Sequence, residues 1–206
     1  MTDTNKPNTR ENVDKVDNNE ARITELEDKV TTLTNLVNQL QSQIILLPDV
    51  IRYSKLQQFL EKGDFRSADE ETTKIILEVT GQERDTLTPD NVAKYPCNSL
   101  QVIDQLWKKY SEGKFGFSVQ LKTYYEVGGS IDTIRTQDTN ILLKFADKVG
   151  WLDENQQPRF EDYDNWDFSL SASDGCFPAQ WWKSPYGLKM VTFFFSRLIS
   201  CDLVVK

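Results

Sequence analysis

Between Ile23 and Leu47 the apolar residues recur in a strict heptad. Counting Ile23 as position a, the a positions are Ile23, Val30, Val37 and Ile44, and the d positions are Leu26, Leu33, Leu40 and Leu47. Every a is β-branched and every d is leucine. A period of about 3.5 residues keeps one narrow seam turned toward a partner helix, and this choice of a and d favours a parallel two-stranded coiled coil. Those residues are the expected oligomerisation seam of a homodimer. Arg22 at g can reach Glu27 at e of a parallel partner, whereas Leu36 at g widens the seam and leaves a trimer open. The alternative is an amphipathic helix packed on its own body, which usually shows a broader apolar face. Pro48 has no amide hydrogen and disfavours helix at Leu47, so the helix is expected to stop there.

The body after Pro48 shows mostly helical spacing. Leu56, Phe59 and Leu60 mark a short helix over 53–62, ended by Gly63. Asp64 can cap a second helix, in which Phe65, Ala68, Thr72, Ile75, Ile76 and Val79 recur at intervals of three and four. Asn98 or Ser99 can cap another, carrying Leu100, Ile103, Leu106, Trp107 and Tyr110 and closed by Gly113. Gly128-Gly129 is a turn. Asp138 or Thr139 caps a helix with Ile141, Leu142, Phe145 and Val149, stopped by Gly150. Residues 115–125 and 190–198 fit helix or strand. Residues 151–187 have little periodicity and read as one long structured loop. No segment sustains a strand alternation, so the fold class is all-α. The expected organisation is a disordered tail over 1–12, a coiled-coil helix over 13–48 and a compact helical domain over 52–206.

Composition narrows the function. The net charge is −8 with no basic run, which argues against nucleic acid or an anionic membrane as partner. Residues 1–22 are polar and cannot bury enough surface to fold alone. No apolar run is long enough to span a bilayer, and the N-terminus lacks the basic-then-apolar pattern of a signal peptide. The 3 cysteines, Cys97, Cys176 and Cys201, form no CxxC pair and are read as reduced thiols of a cytoplasmic protein. Histidine is absent. That removes the commonest general base and metal ligand, so neither a Ser-His-Asp nor a Cys-His nucleophile can be built. The acidic run Glu161–Asp167 fails the calcium-loop pattern, with Trp166 where a ligand is needed. Neither an enzyme nor a resident metal is expected.

The unusual feature is the number of aromatic residues in loop-like segments, among them Phe117, Trp151, Trp166, Phe168 and Phe177. They either close the core beneath long loops or wall a groove for a flat apolar ligand. Arg135, Arg159 and Lys122 lie among them as local cations for a ligand carboxylate.

The run 95–107, Tyr-Pro-Cys-Asn-Ser-Leu-Gln-Val-Ile-Asp-Gln-Leu-Trp, followed by Tyr-Ser-Glu-Gly-Lys-Phe-Gly-Phe-Ser-Val-Gln over 110–120, resembles the signature of the genomes-uncoupled-four family. Leu60, Gly63 and the stretch Ala68–Thr72 resemble its first helical pair, and Gly128-Gly129 and Val149-Gly150-Trp151 match further on. The stretch Phe193–Cys201 resembles the tail of cyanobacterial multidomain members. The resemblance covers about three quarters of the chain. It implies an all-α domain with a cupped groove, a carrier and regulator that binds protoporphyrin IX, magnesium-protoporphyrin IX or an open-chain bilin and stimulates magnesium chelatase. It places the groove walls at Phe115–Gln120 and Trp151–Trp182, and carries ligand contact to Phe117, Val119, Gln120, Trp151 and Trp166, with Arg159 as a propionate contact. Phe168 and Phe177 are expected beside them. One motif departs from the family: Gly175-Cys176-Phe177-Pro178 stands where members usually have Gly-His-Leu-Pro, a change expected on the groove rim. The N-terminal coiled coil also differs from the helical bundle of chelatase-stimulating members, which leaves a coiled-coil interaction or scaffold module as the alternative function.

Overall fold

A computed structural model describes residues 9–203, apart from the side chains of 9–21, 38–50, 160, 161 and 182. The chain divides into two units, Met1–Val50 and Ile51–Lys206. Among the described residues there are α-helices and short 3₁₀ turns, and the only strand-like pairing is one isolated bridge between Leu152 and Pro158. The two segments whose spacing fits helix or strand are both helical.

Helix α1 spans Thr9–Glu61. It begins inside the segment expected to be a disordered tail, since a heptad helix once nucleated extends at one hydrogen bond per added residue. It also runs through Pro48, where an end is expected. An internal proline removes one i→i−4 bond at a cost of roughly 3 kcal/mol, and it can kink a helix rather than end it. Of the heptad positions, Ile23, Leu26, Val30, Leu33 and Val37 are described, and all are exposed by 50% or more in the single chain. Leu40, Ile44 and Leu47 lie outside the described side chains.

The second unit holds the core. The last turns of α1 bury Tyr53, Leu56 and Leu60. After Gly63, Asp64 caps α2 (Phe65–Thr80) by accepting the Ser67 amide at 3.1 Å, as its sequence predicts. Then come α3 (Pro89–Ala93), α4 (Cys97–Tyr110), α5 (Phe117–Glu126), α6 (Ile131–Thr136), α7 (Thr139–Lys148) and, beyond the long connection, α8 (Lys189–Ser200). Pro96, not Asn98 or Ser99, occupies the cap position of α4. Helix α6 carries too short an apolar pattern to be read from spacing. It is declared instead by a capping box in which Ser130 and Thr133 bond reciprocally.

Trp107 is the centre of the body. It is fully buried, its indole N–H donates to the Thr72 hydroxyl at 2.9 Å, and Phe65, Phe115 and Phe177 pack around its ring. The amphipathic helix α8 adds Met190, Phe194 and Phe195. Its end is fastened by a disulfide between Cys97 and Cys201, which corrects the expectation of three reduced thiols. Two cysteines far apart in sequence become neighbours only when α8 folds back beside the start of α4, a proximity that spacing does not reveal. Cys176 alone is free, and buried. No helix among the described residues is long and apolar enough to cross a membrane.

Candidate functional site

The expected groove residues divide by burial. Phe117, Gln120, Trp151 and Phe177 are completely buried, and Trp166 is 6% exposed. Each of the four buried side chains has a structural partner. Phe117 lies against Phe194 with ring centres 4.8 Å apart. Gln120 donates its amide to the carbonyls of Gly175 at 3.0 Å and Pro178 at 2.7 Å. Trp151 donates to the Cys176 carbonyl at 2.8 Å, and Phe177 stacks on Trp107 and Phe168. In this arrangement the four fully buried side chains have no surface to offer a ligand. Val119, Arg159 and Phe168 are partly exposed.

The Gly175–Pro178 motif is therefore a buried junction rather than a rim. Beyond the bonds from Gln120 and Trp151, the Gly175 amide donates to the Lys114 carbonyl at 2.8 Å, and the Phe177 carbonyl accepts the Gly116 amide at 2.9 Å. The departure from the family motif at Cys176 and Phe177 is thus a change of packing. Apolar surroundings push the Cys176 thiol up, away from thiolate reactivity.

Two residues of the expected set do converge. Arg159 and Trp166 line a cavity of about 220 Å³ with Val149, Gly150 and Cys176. The guanidinium lies 5.7 Å from the Trp166 ring centre, and the indole donates to the Arg159 carbonyl at 3.1 Å. Asp167 shares the wall and weakens the site as an anion seat.

A larger cavity, about 510 Å³, shares only Gln180 with the expected groove walls. It is bounded by Thr73, Lys74 and Leu77 of α2, Gly81 and Arg84 of the connection after it, and Gln180 of the long connection. Its volume falls within the range of roughly 300–1,000 Å³ typical of small-molecule sites. Arg84 donates to the Gln180 side chain at 3.2 Å across one wall. Lys74 and Arg84 supply cations, and Glu70 and Glu78 stand on the same rim. Thr73 carries a buried hydroxyl with no hydrogen-bond partner among the described residues.

Beside this cavity lies Asp69, buried completely. Its carboxylate accepts the Ala179 amide at 2.7 Å, the Tyr163 hydroxyl at 2.8 Å and the Gln180 amide at 3.2 Å. Burial pushes its carboxyl up to about 6, against the pull of those donors and of Arg84. Asp69 lies in the family-like stretch Ala68–Thr72 and Arg84 in no pattern, but neither role is legible from spacing, because each comes from a long connection that periodicity cannot place. No cluster of His, Cys, Asp or Glu suited to a metal ion occurs among the described residues.

The family described as GUN4-like matches residues 48–190. The chain is 34% identical over 131 residues to a Ycf53-like protein of Synechocystis, covering 62% of this chain and 51% of that protein. It is 31% identical over 120 residues to the chloroplastic tetrapyrrole-binding protein of Arabidopsis thaliana, covering 52% and 45%. The chain spans about half the length of these relatives. Among solved structures, ligand-free Arabidopsis GUN4 superposes with a TM-score of 0.53 at 24% identity, covering 70% of this chain and 94% of that one. Chlamydomonas reinhardtii GUN4 gives 0.52 at 22%, covering 70% and 86%. At these identities the structural likeness concerns the fold.

Proposed function

Because the chain belongs to the GUN4-like family, we propose that its body is a non-catalytic carrier or regulator for a tetrapyrrole, with protoporphyrin IX, magnesium-protoporphyrin IX or a bilin as the ligand class. The observation that carries this reading is the family match over nearly the whole body, beside the likeness to an Arabidopsis relative named for tetrapyrrole binding. The absence of histidine from the chain agrees with a role that binds rather than transforms. Magnesium chelatase is the proposed protein partner, and the heptad face of α1 the proposed means of self-association.

The geometry favours the larger cavity as the ligand seat. A flat macrocycle needs an apolar bed and a few cations for its carboxylates. Leu77 and the stem of Lys74 supply the first, and Arg84 the second, with the Lys74 ammonium 3.6 Å from the Glu78 carboxylate on the same rim. The smaller cavity holds only Arg159 against Asp167. The expected contacts Phe117, Gln120, Trp151 and Phe177 support the fold from within the core, Val119, Arg159 and Phe168 remain the partly exposed members of that set, and Trp166 lines the smaller cavity.

Titrating protoporphyrin IX and biliverdin into the purified protein, followed by tryptophan fluorescence, tests the reading. Saturable quenching by either supports it, and no response from folded protein overturns it in favour of a coiled-coil scaffold. Replacing Arg84 with Ala should weaken binding by roughly tenfold or more, the scale of one charge-assisted contact. Loss of binding in Arg159→Ala with Arg84→Ala unaffected would move the seat to the smaller cavity.

A further inference from the structure

The long connection between α7 and α8 meets α2 at two places: on the surface Arg66 pairs with Asp164 and lies over the Tyr163 and Phe168 rings, and in the interior one carboxylate gathers three donors. Tyr163 comes from its first 3₁₀ turn, Arg159–Asn165, and Ala179-Gln180 from the start of its second, Gln180–Trp182. All three donate to Asp69. Gln180 is also a wall of the larger cavity, and Glu70 and Thr73, near Asp69 on α2, line the same cavity. The carboxylate that fixes Gln180 relative to α2 thus fixes the separation of two cavity walls. Arg84 also holds Gln180, donating to its side-chain oxygen at 3.2 Å.

We propose that Asp69 is a positioning residue: its ionised carboxylate clamps the long connection onto α2, sets the width of the ligand cavity, and makes binding respond to proton concentration. The proposal rests on that cavity being the ligand seat.

The chemistry is one-sided. Two of the three partners are backbone amides, which can only donate. A protonated Asp69 must place its own hydrogen against one of them or force the Tyr163 hydroxyl to turn. Arg84 of the connection after α2, the Tyr163 hydroxyl and the Cys176 thiol of the long connection, and Glu70 on α2 itself are the titratable or charged groups around it, with the Arg66–Asp164 pair beyond the Tyr163 ring at the surface. Of these only Arg84 favours the ionised form by charge. With the carboxyl raised to about 6, the clamp is made at neutral pH and released a little below it.

Global stability runs the other way. A carboxyl raised in the folded state contributes stability that is present below its unfolded value and lost as pH rises through the folded one. Acidification therefore relieves the burial cost of Asp69 while it opens the clamp. This opposition separates a positioning role from a merely structural one.

The test compares the full-length protein with Asp69→Asn, a near-isosteric change that keeps one acceptor and removes the charge. Amide exchange at Ala179 and Gln180, corrected for intrinsic rates, should be faster in the variant at about pH 7.5 by roughly tenfold to a hundredfold, the loss expected of one hydrogen bond to a charged group. Amides within α4 should be unchanged. Protoporphyrin quenching should be weaker in the variant at that pH, and the difference from the unmodified protein should vanish near pH 5. Equal exchange at Ala179 and Gln180 in both proteins overturns the clamp. Equal protoporphyrin affinity with faster exchange overturns its link to the cavity. Absence of quenching in the unmodified protein defeats the ligand reading instead, while the exchange data still judge the clamp. Should the variant not fold, exchange at Ala179 and Gln180 in the unmodified protein decides the matter. Acceleration there between about pH 7.5 and pH 5, beyond the intrinsic change, supports the clamp, and its absence overturns it.

Discussion

At the residue scale, Gly116 carries more structure than its place in an aromatic run suggests. Its φ of 133° lies in a region closed to side chains, and a Cβ built there would stand 2.8 Å from the Asp104 carboxylate. Asp104 is 2% exposed and its carboxylate accepts the Ser118 amide at 2.8 Å, so α4 caps the start of α5 across a sharp corner. Gly116→Ala should therefore strain the backbone and displace the cap together, at a cost of about 2–3 kcal/mol. A denaturant midpoint measures it, and an unchanged midpoint would show that the corner relaxes freely. The same corner shows what is illegible from residue types alone. Phe117, Gln120, Trp151 and Phe177 stand out by kind and by family motif, but rim and core cannot be distinguished there. Both uses want large flat side chains, and only the bonds onto Gly175, Cys176 and Pro178 and the ring contacts show that these four close the interior.

At the element scale, helices with their own caps are legible in the sequence and long connections are not. The Asp64 cap of α2 and the Asp138 cap of α7 are local bonds within a few residues, and α4 announces itself by its apolar face. The connection 151–188 takes its shape from distant partners such as Asp69, so nothing local declares it. The disulfide is the extreme case, joining residues 104 positions apart. Closing a loop of that length removes chain entropy from the unfolded state worth about 4–5 kcal/mol. Reduction should thus lower Tm by roughly 10–15 °C for a body of this size. Melts with and without dithiothreitol read it directly, and the Cys97→Ser, Cys201→Ser double variant should be low in both and insensitive to reductant. Equal melts for the unmodified protein would mean that the thiols are not paired in solution. The fastening acts on α8, whose Phe194 meets Phe117 and Trp181, so the loss should appear as looser aromatic packing in near-ultraviolet circular dichroism.

At the scale of the whole molecule, the chain presents two surfaces of opposite character. The body buries most of its aromatics, whereas α1 exposes Ile23, Leu26, Val30, Leu33 and Val37 along one line. Thr31 and Thr34, off that line, turn their hydroxyls back to the helix carbonyls of Glu27 and Val30. Lys29 pairs with Glu25 on the same helix. A continuous apolar stripe costs free energy in water and is relieved by a like stripe, at roughly 25 cal/mol per Å² covered. Because each a is β-branched and each d is leucine, a second copy in parallel register would complete both layers at once. Val30→Asp with Val37→Asp places a charge in two layers of that seam and should convert the protein to single chains of 23.8 kDa by light scattering. The far-ultraviolet signal of the body should persist, since α1 before Ile51 belongs to a separate unit. A mass of twice the chain in the unmodified protein fits two strands and three times the chain a trimer, the outcome that Leu36 beside the seam would favour. A multimer that survives both substitutions would move self-association away from the heptad face. If the seam holds, ligand-bound bodies act in pairs, and the substituted single chain should keep its tetrapyrrole affinity while losing any gain that comes from engaging a partner at two points.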